Sequence, residues 1–184
     1  YIYFNSPATL PAQDLGWELL YMEPRHLYSE QGIAMGLMAQ LKVMRDPHHF
    51  YELDHQQPLP LGDLDVILMR KDPPFDTNFL HTTYLLSQAE DAGALIINKP
   101  QSLRDCNEKL FATQFPECCP EVLVASDAKV LKAFHALHED VIFKPLDGMG
   151  GASIFRARKG EPNLNVIIET LTEFGQQQIM VQRY

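Results

Sequence analysis

VIFKPLDGMGGASIF, Val141 to Phe155, sets a strand-borne lysine, Lys144, four residues ahead of a glycine loop. Val141, Ile142 and Phe143 are the β-branched and aromatic residues of a short buried strand, and Ser153, Ile154 and Phe155 begin a second one. Asp147 to Gly151 therefore reads as a hairpin turn. Gly148, Gly150 and Gly151 keep side chains out of the way, so backbone N–H groups can face an anion at close range. Lys144 adds a compact positive charge that can follow a phosphate oxygen. The same run is equally compatible with a plain β-hairpin whose lysine snorkels to water, and it is not the P-loop pattern.

The elements on either side of that run give an α+β unit. Glu121 to Val124 reads as a short strand, Ser126 as the cap of a helix from Asp127 to His138, and Val141 to Lys144 as the returning strand. Arg156 to Glu161 then turns, Asn163 to Phe174 forms a helix closed by Gly175, and Gln178 to Tyr184 is a last strand. Pro116 and Pro120 punctuate the segment before it, which places a domain boundary there, with residues 1–117 on one side and 118–184 on the other.

In the first part, Trp17 to Met22, Leu64 to Met69 and Ala94 to Ile97 are apolar runs of strand length. Thr77 to Asp91 carries Leu80, Tyr84, Leu85 and Gln88 at helical spacing, with Asp76 as N-cap and Gly93 as the stop. Strand, helix, strand over Leu64 to Ile97 is the βαβ succession that makes a parallel sheet. Tyr28 to Asp54 reads only as short strands and turns, with His48 and His49 exposed in a loop. Pro7 and Pro11 interrupt what would otherwise be a helix from Ala8 to Leu15.

Composition narrows the function classes. The 184 residues include 15 Lys and Arg against 24 Asp and Glu, a formal net charge of −9 that argues against a general nucleic-acid or anionic-membrane binder. Any phosphate site must then be a local basic pocket. No apolar stretch approaches the length of a membrane span, and Tyr1 to Gln13 lacks the pattern of a secretory signal, so a cytoplasmic address is expected. Cys106, Cys118 and Cys119 are odd in number, and no zinc-ligand spacing surrounds them, so reduced thiols are expected and no metal ligand is assigned. Ile179 to Tyr184 is still apolar where the sequence stops, which reads as the end of a fragment.

Two further segments follow strand ends, where open α/β sheets place their ligands. In Leu68 to Asp76 (LMRKDPPFD), Arg70 and Lys71 could hold an anionic substrate in a proline-stiffened loop, or pair with Asp72 and Asp76 at the surface. In Asn98 to Lys109, Ser102 can cap a helix whose exposed face carries Arg104, Asn107 and Lys109. The bland alternative is that these residues only keep the helix soluble.

With Lys109 and Lys144 both in view, the chain resembles the ATP-grasp ligases, and among them the bacterial type of glutathione synthetase. LMRKDPPFDT (68–77), NKPQSLRDCNEKLF (98–111) and FKPLDGMGGASIF (143–155) resemble that family's segments in order and spacing, and the likeness runs from about Leu15 to Tyr184. The fold it implies is α/β: a parallel-sheet, Rossmann-like pre-ATP-grasp domain, then the first α+β subdomain of an ATP-grasp fold, truncated. The implied reaction joins γ-L-glutamyl-L-cysteine and glycine with ATP through an acylphosphate. By the same resemblance Lys109 and Lys144 contact the ATP phosphates, and Asp147, Gly148, Met149, Gly150, Gly151, Ala152 and Ser153 form the mobile loop over the reacting γ-phosphate. Lys144, Gly150 and Gly151 are the catalytic assignments. Gln182, Arg183 and Tyr184 begin the strand that recognises adenine, while Arg70 contacts the dipeptide with Asp72 orienting it. Mg2+ ligands are expected only beyond Tyr184, and the full-length family members are expected to form homo-oligomers. The family's opening strand and loop, Gly-Ile-Val-Met-Asp-Pro in type, is not matched by Tyr1 to Pro11, and the isolated chain is expected to be inactive. Other ATP-grasp carboxylate–amine ligases, such as D-alanine ligases or ligases that add glutamate to proteins, and a non-catalytic nucleotide-binding fragment remain as alternatives.

Overall fold

A computed structural model describes residues 9–70, 75–148 and 150–184. Lys71, Asp72, Pro73, Pro74 and Met149, like Pro7, lie outside the described residues. Contacts divide the chain into two units, Tyr1–Arg104 and Asp105–Tyr184, so that residues 105–117 group with the second unit rather than with the first.

The first unit opens with α1 (Thr9–Asp14), which contains Pro11. The expected interruption does not occur, because Pro11 sits in the first turn, where its missing N–H has no helical partner to lose. Gln13 ties this helix down by donating to the Val43 carbonyl at 2.8 Å and accepting from the Val43 N–H at 2.7 Å. Only Leu20–Tyr21 of the run 17–22 is strand (β1), and Trp17 stays exposed.

Beyond β2 (Leu27–Glu30), the segment that looked uninformative holds the longest strand, β3 (Ile33–Val43). It pairs antiparallel with β1, β2, β4 (Tyr51–Leu53) and β5 (Gln57–Pro60). Its buried positions run 34, 36, 38 and then 39, 41, 43. That phase shift lets Ala34 and Met38 join the main core while Leu41 and Val43 pack with Leu19 in a separate cluster.

β6 (Val66–Leu68) and β7 (Leu95–Ile97) pair in parallel with Ile67 opposite Ile96, joined by α2 (Thr77–Asp91) as the βαβ reading requires. Asp76 Oδ1 accepts from the Phe79 N–H at 2.7 Å, and Gly93 turns away at φ +117°. The buried face of α2 is Thr82, Thr83, Leu86 and Ala89, one step round from the predicted stripe, and Tyr84 is exposed. The threonine hydroxyls donate to the carbonyls of Asn78 and Leu80, which makes their burial tolerable. Gly62 lies against this helix so closely that a Cβ there would sit 2.6 Å from Ala92 Cβ.

Next comes α3 (Pro100–Asp105), in which Ser102 is an internal residue and not the cap; Asn107 and Lys109 fall beyond its end. Arg104 is not a solubilising surface residue either. It donates to Thr83 O, Thr83 Oγ1 and Ser87 Oγ at 3.1 to 3.2 Å, and its guanidinium lies over the Tyr84 ring.

The second unit consists of β8 (Val122–Ala125), α4 (Ala128–His138), β9 (Asp140–Pro145), β10 (Phe155–Arg158), α5 (Leu164–Leu171) and β11 (Ile179–Arg183). All its strand pairs are antiparallel, in the order β10-β9-β11-β8. The α4 cap is Asp127 and not Ser126, accepting from the N–H groups of Lys129 and Val130. Residues 156–158, expected to turn, pair instead with β9, and the connection between β9 and β10 runs from Leu146 to Ile154. Helix α5 stops at Leu171 because Glu173, Phe174 and Gly175 all take positive φ, with Thr172 Oγ1 accepting from the Gly175 N–H. Both helices pack on one face of the sheet, burying Val141, Phe143, Ala157, Ile179 and Val181 with Leu131, Ile168 and Leu171. Because β11 lies between β9 and β8, it is a central strand of the sheet.

Candidate functional site

Side chains alternate across a strand, so residues flanking the buried Val141 and Phe143 project from the sheet face that α4 and α5 leave uncovered. Asp140, Ile142 and Lys144 of β9 share that face with Met180 and Gln182 of β11, and with Arg156 of β10, which pairs with Ile142. Lys144 Nζ donates to Gln182 Oε1 at 2.6 Å, across the diagonal of the β9–β11 ladder. Burial holds the Lys144 ammonium below the usual lysine range, and the nearby charge of Lys109 adds to the effect; Glu108 and Cys119 oppose it.

Lys109 reaches the start of the glycine loop. Its Nζ donates to Glu108 Oε1 at 2.6 Å, to the Leu146 carbonyl at 3.1 Å and to the Gly148 carbonyl at 3.0 Å. Asn107 sits two residues earlier and shapes this turn, its Oδ1 accepting from the N–H groups of Lys109 and Leu110. Its Nδ2 donates across to Asp147 Oδ1 at 3.1 Å. Gly148, Gly150 and Gly151 adopt φ of +139°, +69° and +78°. Since a Cβ at Gly150 or Gly151 would meet nothing within 4 Å, the left-handed backbone, not space, is what calls for glycine there. Ala152 and Ser153 complete the exposed stretch.

The candidate residues at the chain's end divide. Gln182 faces Lys144, and the Tyr184 ring stacks at 3.3 Å from the Arg156 guanidinium, which Asp140 holds with two hydrogen bonds of 2.9 and 2.7 Å. Arg183 turns to Glu121 instead, at 3.0 Å. Lys109 and Gly148, with Asn107 and Asp147, thus form one hydrogen-bonded set, and Lys144 with Gln182 forms a second, near enough for the charge of Lys109 to be felt at Lys144. In the first unit, Arg70 is exposed just past the carboxyl end of β6. Beside it a cavity of about 530 Å3 is lined by Glu23, Arg25, Met69, Asp76, Phe79 and His81 among others.

Sequence reasoning grouped Asn107 with solubilising residues and made nothing of Glu108 or of the Asp140–Arg156 pair. An Asn side chain can turn the chain by accepting from the backbone N–H two residues on, and that propensity is the available clue to Asn107. The Asp140–Arg156 pairing exists only because β10 begins where a turn was expected.

Comparison with known proteins settles the family. The prokaryotic glutathione synthetase N-terminal domain matches residues 8–104, and the prokaryotic glutathione synthetase ATP-grasp domain matches residues 108–184. The chain belongs to the prokaryotic glutathione synthetase family. Among its curated relatives, the glutathione synthetase of Pseudomonas aeruginosa is 59% identical over 175 residues, covering 95% of this chain and 55% of that protein. That of Pseudomonas syringae pv. tomato is 61% identical and that of Vibrio cholerae 54%, each with the same coverage. The chain therefore spans about half the length of the glutathione synthetases it matches.

Solved structures agree on the fold. A D-cycloserine synthetase superposes with a TM-score of 0.52 at 14% identity, covering 68% of this chain and 46% of that one. D-alanyl-alanine synthetase A of Vibrio cholerae gives 0.52 at 14%, covering 91% and 49%. The α/β class read from the sequence, with an ATP-grasp subdomain second, is borne out, although among the described residues the parallel part of the first unit is only the β6–β7 pair beside an antiparallel sheet. No helix among the described residues is long and apolar enough to cross a membrane.

Proposed function

We propose that this chain supplies the substrate-side domain and the first nucleotide-binding subdomain of a glutathione synthetase, an ATP-dependent carboxylate–amine ligase acting on γ-glutamylcysteine and glycine in the cytoplasm. The observation that carries the reading is a pair of lysines close enough to feel each other's charge, Lys109 bonded to the glycine loop and Lys144 on the strand that leads into it, inside the region that matches the ATP-grasp domain. Phosphoryl transfer needs positioned positive charge and backbone N–H groups more than it needs a reactive side chain. A phosphate oxygen arriving at Lys144 would favour its ammonium form, its charge offsetting the cost of burial and the repulsion from Lys109.

In this reading Lys109, Lys144 and the backbone of Asp147 to Ser153 hold the phosphates, Gly150 and Gly151 allow close approach, and Gln182 to Tyr184 border the adenine. Arg70 engages the dipeptide carboxylate, and Asp72 orients Arg70. The functional division in this reading is 1–117 for the substrate side and 118–184 for the nucleotide side, with residues 105–117 grouping by contacts with the second unit. Among the described residues no group of three or more His, Cys, Asp or Glu side chains is placed to hold a metal ion. A homo-oligomeric full-length enzyme is part of the same proposal.

Calorimetric titration with ATP–Mg and, separately, with γ-glutamylcysteine tests it, using the chain and its Lys144→Ala variant. Loss of one charge-assisted phosphate contact should weaken ATP binding by roughly ten- to a hundredfold. Dipeptide binding should stay unchanged. Equal ATP affinity in the two proteins would remove the site.

A further inference from the structure

We infer that Asn107 is a positioning residue that clasps the glycine loop to the Lys109 turn, and that this clasp persists while Lys109 exchanges loop carbonyls for phosphate. An ammonium has three N–H donors, and in Lys109 all three are engaged: by Glu108, by the Leu146 carbonyl and by the Gly148 carbonyl. A phosphate oxygen can reach Lys109 only by replacing one of them. The carbonyls that anchor the loop and the arriving nucleotide thus compete for one cation.

Asn107 is outside that competition. Its Oδ1 serves the Lys109 and Leu110 amides, and its Nδ2 serves the Asp147 carboxylate, so no donor has to be surrendered to a phosphate. One side chain therefore fixes the backbone that carries Lys109 and the loop on which Lys109 acts. The purpose assigned to the clasp rests on the nucleotide-site reading above, but its geometry does not.

Hydrogen exchange of the chain without nucleotide tests the clasp, read at loop amides 146–148 and 150–154 with β8 and α4 as internal references. Asn107→Ala removes both functions, and loop exchange should rise roughly three- to tenfold. Asn107→Asp keeps the acceptor for Lys109 and Leu110 but sets a second carboxylate against Asp147, so its loop should exchange faster still. The double variant Asn107→Asp/Asp147→Asn restores the pair with donor and acceptor swapped, and should return the loop to wild-type exchange. A residue that only caps its own turn predicts the reverse order: Asn107→Asp like wild type, Asn107→Ala worst, and no rescue. That order, or unchanged loop exchange in every variant, overturns the inference. ATP affinity and its dependence on Lys144 are measured separately, so failure of the nucleotide site and failure of the clasp cannot be confused.

Discussion

The two units use their sheets differently. In the first, one eleven-residue strand, β3, carries four antiparallel partners and changes its buried face midway, so both sides of the same strand pack against cores. In the second, α4 and α5 cover a single face, and the other carries two hydrogen-bonded pairs, Lys144 with Gln182 and Arg156 with Asp140. The one cation on β3, Lys42, stays at the exposed side and pairs with Glu52 at 3.3 Å. A sheet covered on one side can present cations from rigid elements, and that is what a phosphate site needs. Arg104 shows the same contrast from the other direction: it is a cation in the first unit, but its guanidinium is held by α2 hydroxyls and a carbonyl.

Removing the support beneath the cationic face should have the largest effect. Phe143 is fully buried, with its backbone between β10 and β11 and Lys144 as its neighbour. Phe143→Ala should destabilise the second unit by about 3–5 kcal/mol, by lost transfer energy and a cavity that the four-stranded sheet cannot collapse. Urea unfolding followed through exchange of the β9 and β11 amides checks this. Retention of near-wild-type stability would mean that the helices, not the sheet core, hold the cationic face in place.

A smaller effect is expected where the first unit packs backbone against backbone. A methyl at Gly62 would meet Ala92 Cβ at 2.6 Å, and Ala92 is the C-cap of α2, with no flexible side chain to yield. Gly62→Ala should cost about 1–3 kcal/mol by overpacking. Its thermal midpoint should fall, and pairing with Ala92→Gly should recover most of the loss. A Gly62→Ala protein as stable as wild type would show that α2 can move away from the turn before it.

What the sequence made legible follows from how local each signal is. Helix α2 was read to its ends because Asp76 and Gly93 act within one turn of them. Its buried face was misjudged because two threonines lie inside, satisfied by the helix's own carbonyls. Strand β3 escaped notice because its alternation changes phase between Met38 and Ala39, which erases the period a strand is recognised by. At the site, the lysine and glycines of 144–151 announce themselves within a few residues. Asn107 does not, since its partner Asp147 is forty positions away.

The smallest effect expected concerns the edge of the cationic face, where Asp140 grips Arg156 and Arg156 lies against Tyr184. Hydrogen bonds from Arg156, assisted by its charge, hold the Asp140 carboxyl below its ordinary value of 3.8. A carboxyl whose pKa is lower in the folded chain stabilises it fully above the unfolded value, and that contribution is lost as pH falls through the folded one. Asp140→Asn should therefore be slightly less stable than wild type at pH 7. The gap should narrow below pH 4 and close once the wild-type carboxyl is protonated. Arg156 is exposed and Asp140 half-buried at this edge, so salt should shrink the gap as well. Denaturation midpoints for the two proteins across that pH range decide the matter: a gap that persists in acid would assign Asp140 to strand geometry through its backbone, leaving Arg156 free to turn toward a ligand.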